Sequence, residues 1–178
     1  MGSKIASLLA AAMIVMMMAG CASGSASSAD KDSSAESGSA ASLSSSSLTD
    51  EQKNELLDYL QSSQKTELDS AIEEANDGLT DLIQNKDASE IDHRSLVISE
   101  AVKNAEGMDV PAICETLHYN KVQCGRAMFI ALADYSAAMA GGSDSKAKLD
   151  EAGEYLNKAT EFTKAYDEEI QRLTEMAK

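Results

Sequence analysis

The most constraining feature of the sequence is a run of residues near its end, spaced alternately three and four positions apart. The members of this seam are Leu149, Ala152, Leu156, Ala159, Thr163, Tyr166, Ile170, Leu173 and Ala177. Such spacing places all of them on one face of an α-helix and is typical of a helix that packs along its whole length against another. The chain must therefore supply further amphipathic helices that cover this face.

A first helix is predicted to begin just after Thr49. Thr49 and Gln52 have the spacing of a capping box, in which each residue satisfies a backbone N–H of the other. Apolar residues then recur at helical spacing to about Gln84. Whether this helix is interrupted at Asn76–Gly78 stays open at the level of sequence.

Two more helices precede the seam. One is expected to start at the Asp87-x-x-Glu90 pattern and to end at Gly107, and the next to start near Pro111 and to end at Gly141-Gly142. Ser143 is the expected cap of the last helix. Because short loops between long amphipathic helices make neighbours antiparallel, the predicted fold is all-α, an antiparallel bundle of about four helices in residues 49–178.

The first 20 residues have the organisation of a secretory signal peptide. A single cation, Lys4, precedes the apolar run Ile5–Met18. The following Met18-Ala19-Gly20-Cys21 resembles the lipobox of bacterial lipoproteins. The resemblance implies cleavage before Cys21, lipidation of that residue and anchoring in a lipid bilayer of the bacterial cell envelope. Ala22 after the cysteine, rather than Asp, matches the enterobacterial sorting rule for the outer membrane, if the host has one. Two or more acyl chains give lasting attachment.

A Ser/Ala-rich segment separates the lipobox from the predicted bundle. Residues 22–48 contain 13 Ser, 6 Ala and 2 Gly among 27 positions. Such a segment buries too little apolar surface to offset the entropy of ordering its backbone. Residues 21–48 are therefore predicted to be a disordered tether that begins with the lipidated cysteine.

The predicted bundle is acidic. Residues 49–178 carry 27 anionic and 13 cationic side chains, and 13 of the anions but only 3 of the cations lie between Asp50 and Asp92. This balance excludes nucleic-acid binding by a basic surface. Two interpretations remain: a solvated surface that keeps an exported protein soluble, or a docking surface for a basic protein or divalent cations.

Both histidines of the chain follow a glutamate by three residues, as Glu90-x-x-His93 and Glu115-x-x-His118. In ferritin-like bundles two such motifs, with two further glutamates, hold a pair of iron ions. At 100° per residue, however, His93 and Glu115 point away from the apolar stripes of their helices. Solvated or capping side chains are the expected result, and no cofactor is expected.

Cys114 and Cys124 are the thiols that remain once Cys21 is lipidated. An exported protein usually meets oxidising conditions, which favours a disulfide between them. In one unbroken helix their Cα atoms would lie about 15 Å apart, and a bridge tolerates at most about 7 Å. The hypothesis is therefore a Cys114–Cys124 disulfide with a turn near His118–Lys121. The alternative is two buried free thiols in a continuous helix.

No sequence signature of a hydrolase or of a phosphate-binding loop is present, so the chain is predicted not to be an enzyme. The leading interpretation is an envelope lipoprotein whose bundle is an interaction or scaffold module with a protein partner. One alternative is a helical carrier of a small ligand or metal. Another is a structural tie to peptidoglycan, because Cys21, the heptads of the last helix and Lys178 resemble the plan of murein lipoproteins. The oligomeric state stays open.

Overall fold

A computed structural model describes residues 47–178 of the 178-residue chain. The five α-helices of this part are α1 (Asp50–Gln61), α2 (Ser63–Thr80), α3 (Ile91–Glu106), α4 (Glu115–Met139) and α5 (Ser145–Met176). A π-helical turn extends α2 over Asp81–Asn85, and a 3-10 turn, Ala112–Cys114, leads into α4. No strand occurs in the described part, and the all-α helical bundle is confirmed. The predicted signal peptide, Cys21 and most of the tether lie outside the described residues.

The helix ends agree with the sequence to different degrees. The capping box at Thr49 is confirmed, because the Gln52 N–H donates to Thr49 Oγ1 at 3.2 Å and the Thr49 N–H donates to Gln52 Oε1 at 3.0 Å. The start of α3 was expected at Asp87 but lies at Ile91, because the Asp87 carboxylate accepts from the Ser89 N–H and holds a non-helical turn instead.

The turn between α4 and α5 depends on glycine. Gly141 and Gly142 have φ angles of 83° and 145°, a conformation that side chains with a Cβ rarely adopt. The predicted end of α4 at these glycines is confirmed. The predicted cap of α5 is wrong, because Asp144 occupies the cap position and the Ser143 hydroxyl donates to the Asp144 carboxylate rather than capping the helix.

The prediction of one continuous helix from residue 50 to about 84 is wrong, because the helix breaks at Ser62. Ser62 has φ −62° and ψ 147°, which is extended rather than helical. Its N–H and its hydroxyl both donate to the Tyr59 carbonyl, and its Oγ accepts from the Lys65 N–H. A single serine therefore ends α1 and caps α2.

The open question at Asn76–Gly78 is answered, because α2 runs through these residues without a break. Gly78 serves close packing: a Cβ at this position would lie 2.8 Å from Cδ of Arg94 in α3. The glycine therefore leaves room for the Arg94 side chain, and it does not end a helix.

Most buried apolar side chains form one cluster between α2, α3 and α4, which we call the main core. Its members are Leu68, Ala71, Ile72, Ala75, Leu79, Leu82, Ile91, Ile98, Ala101, Val102, Ala105, Val122, Cys124, Ala127, Met128, Ala131, Leu132 and Ala159. Gly125 brings α4 close to this cluster, because a Cβ there would lie 2.8 Å from Val102 Cγ2 and 3.0 Å from Leu68 Cδ1.

A second and smaller cluster, which we call the α1 cluster, lies where α1 meets the start of α4 and the end of α5. Its members are Leu48, Leu56, Tyr59, Ile113, Cys114, Leu117 and Leu173. Leu48, which the sequence assigned to the end of the tether, is 5% exposed and its N–H donates to the Met176 carbonyl at 2.8 Å. The folded part therefore begins at least one residue earlier than predicted.

The seam of α5 packs against α4, as its spacing predicted. Ala152 and Leu173 are fully buried, and Leu156, Thr163, Tyr166 and Ile170 are partly buried between them. Only the first member of the seam, Leu149, is 42% exposed. Because α4 and α5 each contribute to both clusters, this helix pair connects the main core to the α1 cluster.

Candidate functional site

The acidic segment, which we define as residues 50–92, exposes most of its charge. Ten of its 13 carboxylates are solvent-exposed: Asp50, Glu51, Asp58, Glu67, Glu73, Glu74, Asp77, Asp87, Glu90 and Asp92. In the part of the chain that the structure describes, none of these ten forms an ion pair. Their negative potential is therefore available to a molecule that approaches from solvent.

Two carboxylates of the acidic segment are neutralised within the fold. Asp69 is paired with Lys65 and Lys121, and Asp81 lies 3.2 Å from the Arg94 guanidinium. Both Asp69 and Asp81 are only partly exposed. Within this segment the two carboxylates that have a cation partner are therefore partly buried, and the ten exposed carboxylates have none among the described residues.

An open groove of about 350 Å³ lies between α2 and α3 within the acidic surface. Ala71 and Ala101 form its floor, because these small and buried side chains leave space between the two helices. Three exposed carboxylates, Glu67 and Glu74 of α2 and Glu100 of α3, line its edges. The groove thus combines a small apolar floor with acceptors for cationic donors.

A polar layer lies where the two clusters meet along α4, between Leu117 of the α1 cluster and Cys124 of the main core. Lys121 of α4 reaches Asp69 of α2 at 2.6 Å, as an ion pair rather than as a well-directed hydrogen bond, and its ammonium lies 5.0 Å from the centre of the Tyr166 ring. Burial is the largest cause that raises the pKa of Tyr166, and the nearby Asp69 carboxylate acts in the same direction. This layer neutralises a lysine on the inner side of α4.

The lysine explains why the turn predicted at His118–Lys121 is wrong. By its spacing from Leu117 and Cys124, Lys121 occupies a core position of α4, where a charged side chain favours a break in the helix. In the structure α4 continues through this region, because Asp69 and the Tyr166 ring accept the ammonium group. A favourable partner from another helix therefore removes the reason for a turn.

The predicted disulfide is also wrong in this structure, where Cys114 and Cys124 are buried free thiols. Ten residues of nearly continuous helix separate them, which is about 15 Å along the axis and too far for a bridge. Cys114 lies in the α1 cluster, where burial raises the pKa of its thiol to about 11. Cys124 lies in the main core, 3.4 Å from the Thr163 hydroxyl, and burial raises the pKa of its thiol as well.

The two Glu-x-x-His motifs do not form a common site. Glu90, His93 and Glu115 are exposed at the starts of α3 and α4. His118 is half-buried, with its ring edge against the Tyr59 ring at a centroid distance of 6.0 Å. Among residues 47–178, no group of three or more His, Cys, Asp or Glu side chains is close enough to hold a metal ion.

Sequence reasoning found the acidic segment but missed the groove and the Lys121–Asp69 pair. A lysine at a core position of α4 and an aspartate directly after the buried Leu68 were both visible as signals. The pairing of Lys121 with Asp69 could not be predicted from the sequence, because the two residues lie on different helices. Cys21 lies outside the described residues, and no helix of the described part is long and apolar enough to cross a membrane.

Comparisons with known proteins identify no relative: no protein-family model, curated protein or solved structure matches this chain.

Proposed function

We propose that this chain is a membrane-anchored lipoprotein of the bacterial cell envelope. In this proposal the acidic bundle is a non-enzymatic interaction module for a protein partner with a basic surface. The anchor rests on the Met18-Ala19-Gly20-Cys21 sequence after an apolar run. The interaction role rests on the surface of the bundle.

The observation that carries the interaction role is the set of ten exposed carboxylates in residues 50–92 that have no ion-pair partner among the described residues. A surface of one sign raises the rate at which an oppositely charged partner associates and disfavours partners of the same sign. The groove between α2 and α3 adds a place where such a partner can be oriented.

The groove suits lysine and arginine side chains in particular. The aliphatic stems of these residues can lie along the apolar floor at Ala71 and Ala101, while their charged ends reach Glu67, Glu74 or Glu100 at the edges. Charge-assisted hydrogen bonds of this kind are roughly twice as strong as those between neutral groups. We therefore expect a basic segment of the partner to bind along α2 and α3.

The anchor is tested by replacing the lipidated residue. Cys21→Ser should leave the precursor uncleaved or release the protein from the membrane fraction, which fractionation and intact mass measure. The control is Ser23→Ala, which changes a neighbouring hydroxyl and should leave processing and location unchanged. A Cys21→Ser protein that is processed and membrane-bound like the wild type would contradict the anchor.

The docking surface is tested by cross-linking in intact cells followed by purification of the adducts. The variant carries Glu67→Gln, Glu74→Gln and Glu100→Gln together, which removes three charges from the groove. The matched control carries Glu154→Gln, Glu161→Gln and Glu175→Gln, which removes three exposed charges from α5. We expect the groove variant to lose the cross-linked partner and the control to keep it. Equal capture by both variants would rule out docking at the groove.

A further inference from the structure

The apolar interior is divided into two clusters of unequal size. The main core contains 18 buried residues from α2, α3, α4, α5 and the π-helical turn, whereas the α1 cluster contains seven. Three of these seven, Leu48, Leu56 and Tyr59, come from α1 and the residues just before it. The other four belong to the 3-10 turn, the first turn of α4 and the end of α5.

One residue links α1 to α2, and few contacts hold α1 against the rest of the bundle. Ser62 is a single extended residue between α1 and α2, so rotation about its backbone angles can move α1 as a unit. No ion pair in the described part of the chain joins α1 to another element. The segment is held by its few buried side chains and by the hydrogen bond from the Leu48 N–H to the Met176 carbonyl.

The residues that α1 covers form a separate apolar surface. Ile113, Cys114, Leu117 and Leu173 are each 9% exposed or less. None of the 18 residues of the main core belongs to α1, so the main core is built without α1 side chains. Removal of α1 would uncover part of this surface, because Met108, Val110, Tyr166, Ile170 and Met176 also pack against it, and would leave the contacts between α2, α3 and α4 in place.

We propose that α1 is a latch that opens at Ser62 while the main core stays folded. Opening exposes the apolar surface around Cys114 and Leu117. Such local opening is expected where an element makes few buried contacts. All of the chain before residue 47 is covalently joined to the bundle through α1, so a pull from that side acts on the latch before it acts on the main core. Opening by such a pull rests on the proposed anchor at Cys21. Spontaneous opening of the latch does not depend on the anchor.

Cys114 and Cys124, two of the three cysteines of the chain, provide an internal comparison, because Cys114 lies under the latch and Cys124 lies in the main core. The experiment exposes the purified full-length chain to iodoacetamide in native buffer, without membranes or partners. Peptide mass spectrometry follows each thiol, and the rate in denaturant serves as the reference. We expect Cys114 to react at least about tenfold faster than Cys124 after this correction, because only Cys114 is exposed by local opening.

Two neighbouring leucines of α1 sharpen the test. Leu56 is 9% exposed and Leu57 is 51% exposed, so Leu56→Ala weakens the latch and Leu57→Ala is its matched control. We expect Leu56→Ala to raise the rate at Cys114 by a further factor of roughly ten and to leave the rate at Cys124 unchanged. Leu57→Ala should change neither rate.

Hydrogen exchange of the unmodified chain gives a second measurement in case Leu56→Ala fails to fold. Amides of α1 should exchange faster than amides of α3, whose Ile98 and Ala105 are buried in the main core. Equal corrected rates at the two thiols, or uniform exchange in α1 and α3, would overturn the latch, because both results indicate that the clusters open together. Since neither measurement uses a membrane or a partner, a failure here is distinct from a failure of the proposed function.

Discussion

The main core and the α1 cluster are built from the same kinds of side chain, but they differ in how many helices share the burial of those side chains. In the main core, three neighbouring helices each supply several buried residues, so the loss of one contact leaves many others in place. In the α1 cluster, one short helix covers the ends of longer elements. The difference teaches that fully buried residues can belong to regions of unequal stability, because stability depends on how many elements share the burial.

The helices α4 and α5 run through both regions. The polar layer, in which Lys121 of α4 meets Asp69 of α2 and the Tyr166 ring of α5, marks the boundary. Burial of a charged pair at this place contributes less stabilising free energy than burial of apolar side chains would, because both charged groups must be desolvated. We therefore expect the α1 cluster to open at this boundary while the main core stays folded.

The largest effect is expected from a cavity in the main core. Leu68 is 1% exposed, and Leu68→Ala should lower the free energy of unfolding by about 2–5 kcal/mol. Urea unfolding followed by circular dichroism measures this change. The control Leu96→Ala removes a side chain that is 56% exposed and should change stability by no more than about 0.5 kcal/mol. A small effect at Leu68 would show that the main core is loosely packed.

The next largest effect on the free energy of unfolding is expected from substitution of two glycines. Gly125→Ala places a Cβ 2.8 Å from Val102 Cγ2, and the overpacking should outweigh the better helix propensity and destabilise the main core by about 1–2 kcal/mol. Gly153 in α5 has no neighbouring atom within 4 Å of such a Cβ, so Gly153→Ala should stabilise by about 0.5–1 kcal/mol. Chemical denaturation measures both changes, and the same sign for both would contradict the packing described at Gly125.

A stabilising effect smaller than the loss at Leu68 is expected in the α1 cluster. The Tyr59 hydroxyl is buried and has no hydrogen-bond partner among the described residues, and burial raises the pKa of its phenol. Tyr59→Phe removes this polar atom and should stabilise the closed latch by about 1 kcal/mol. Slower hydrogen exchange in α1 would report it. Tyr119→Phe is the control, because Tyr119 is 58% exposed. Faster exchange in Tyr59→Phe would show that the hydroxyl supports the cluster.

The smallest effect concerns pH. Burial lowers the pKa of His118 below its ordinary value of 6.5, and a backbone contact at Ala105 acts weakly in the opposite direction. The unfolded chain then binds the proton more readily than the folded chain, so stability should fall as the pH drops below about 6.5. The loss ends once the pH passes the folded-state pKa.

Thermal melting between about pH 7.5 and 5.5 measures this dependence, over the range in which histidine titrates. His118→Gln should flatten the dependence, whereas His93→Gln, which changes an exposed residue, should retain it. Because carboxylates titrate in the same way in both variants, the difference between them isolates His118. Identical profiles for the two variants would contradict a role of His118 burial.

The candidate site was only partly readable from the sequence. The excess of carboxylates between Asp50 and Asp92 is a property of composition and needs no fold. The groove with Ala71 and Ala101 on its floor requires the two helices to be placed side by side, and no local pattern specifies that placement. The pairing of Lys121 with Asp69 is of the same kind, and it turned a predicted break into a continuous helix.

The sequence by itself determined the all-α class, the capping box at Thr49, the end of α4 at Gly141-Gly142 and the inner face of α5. These features depend on interactions within about four residues, or on the period of 3.6 residues per turn, which a sequence displays directly. Only the tertiary structure decided where the first helix breaks, that Cys114 and Cys124 lie in different clusters, and that Gly78 serves close packing. The physical reason is that each of these depends on which side chain another helix presents, and helix periodicity carries no information about that partner.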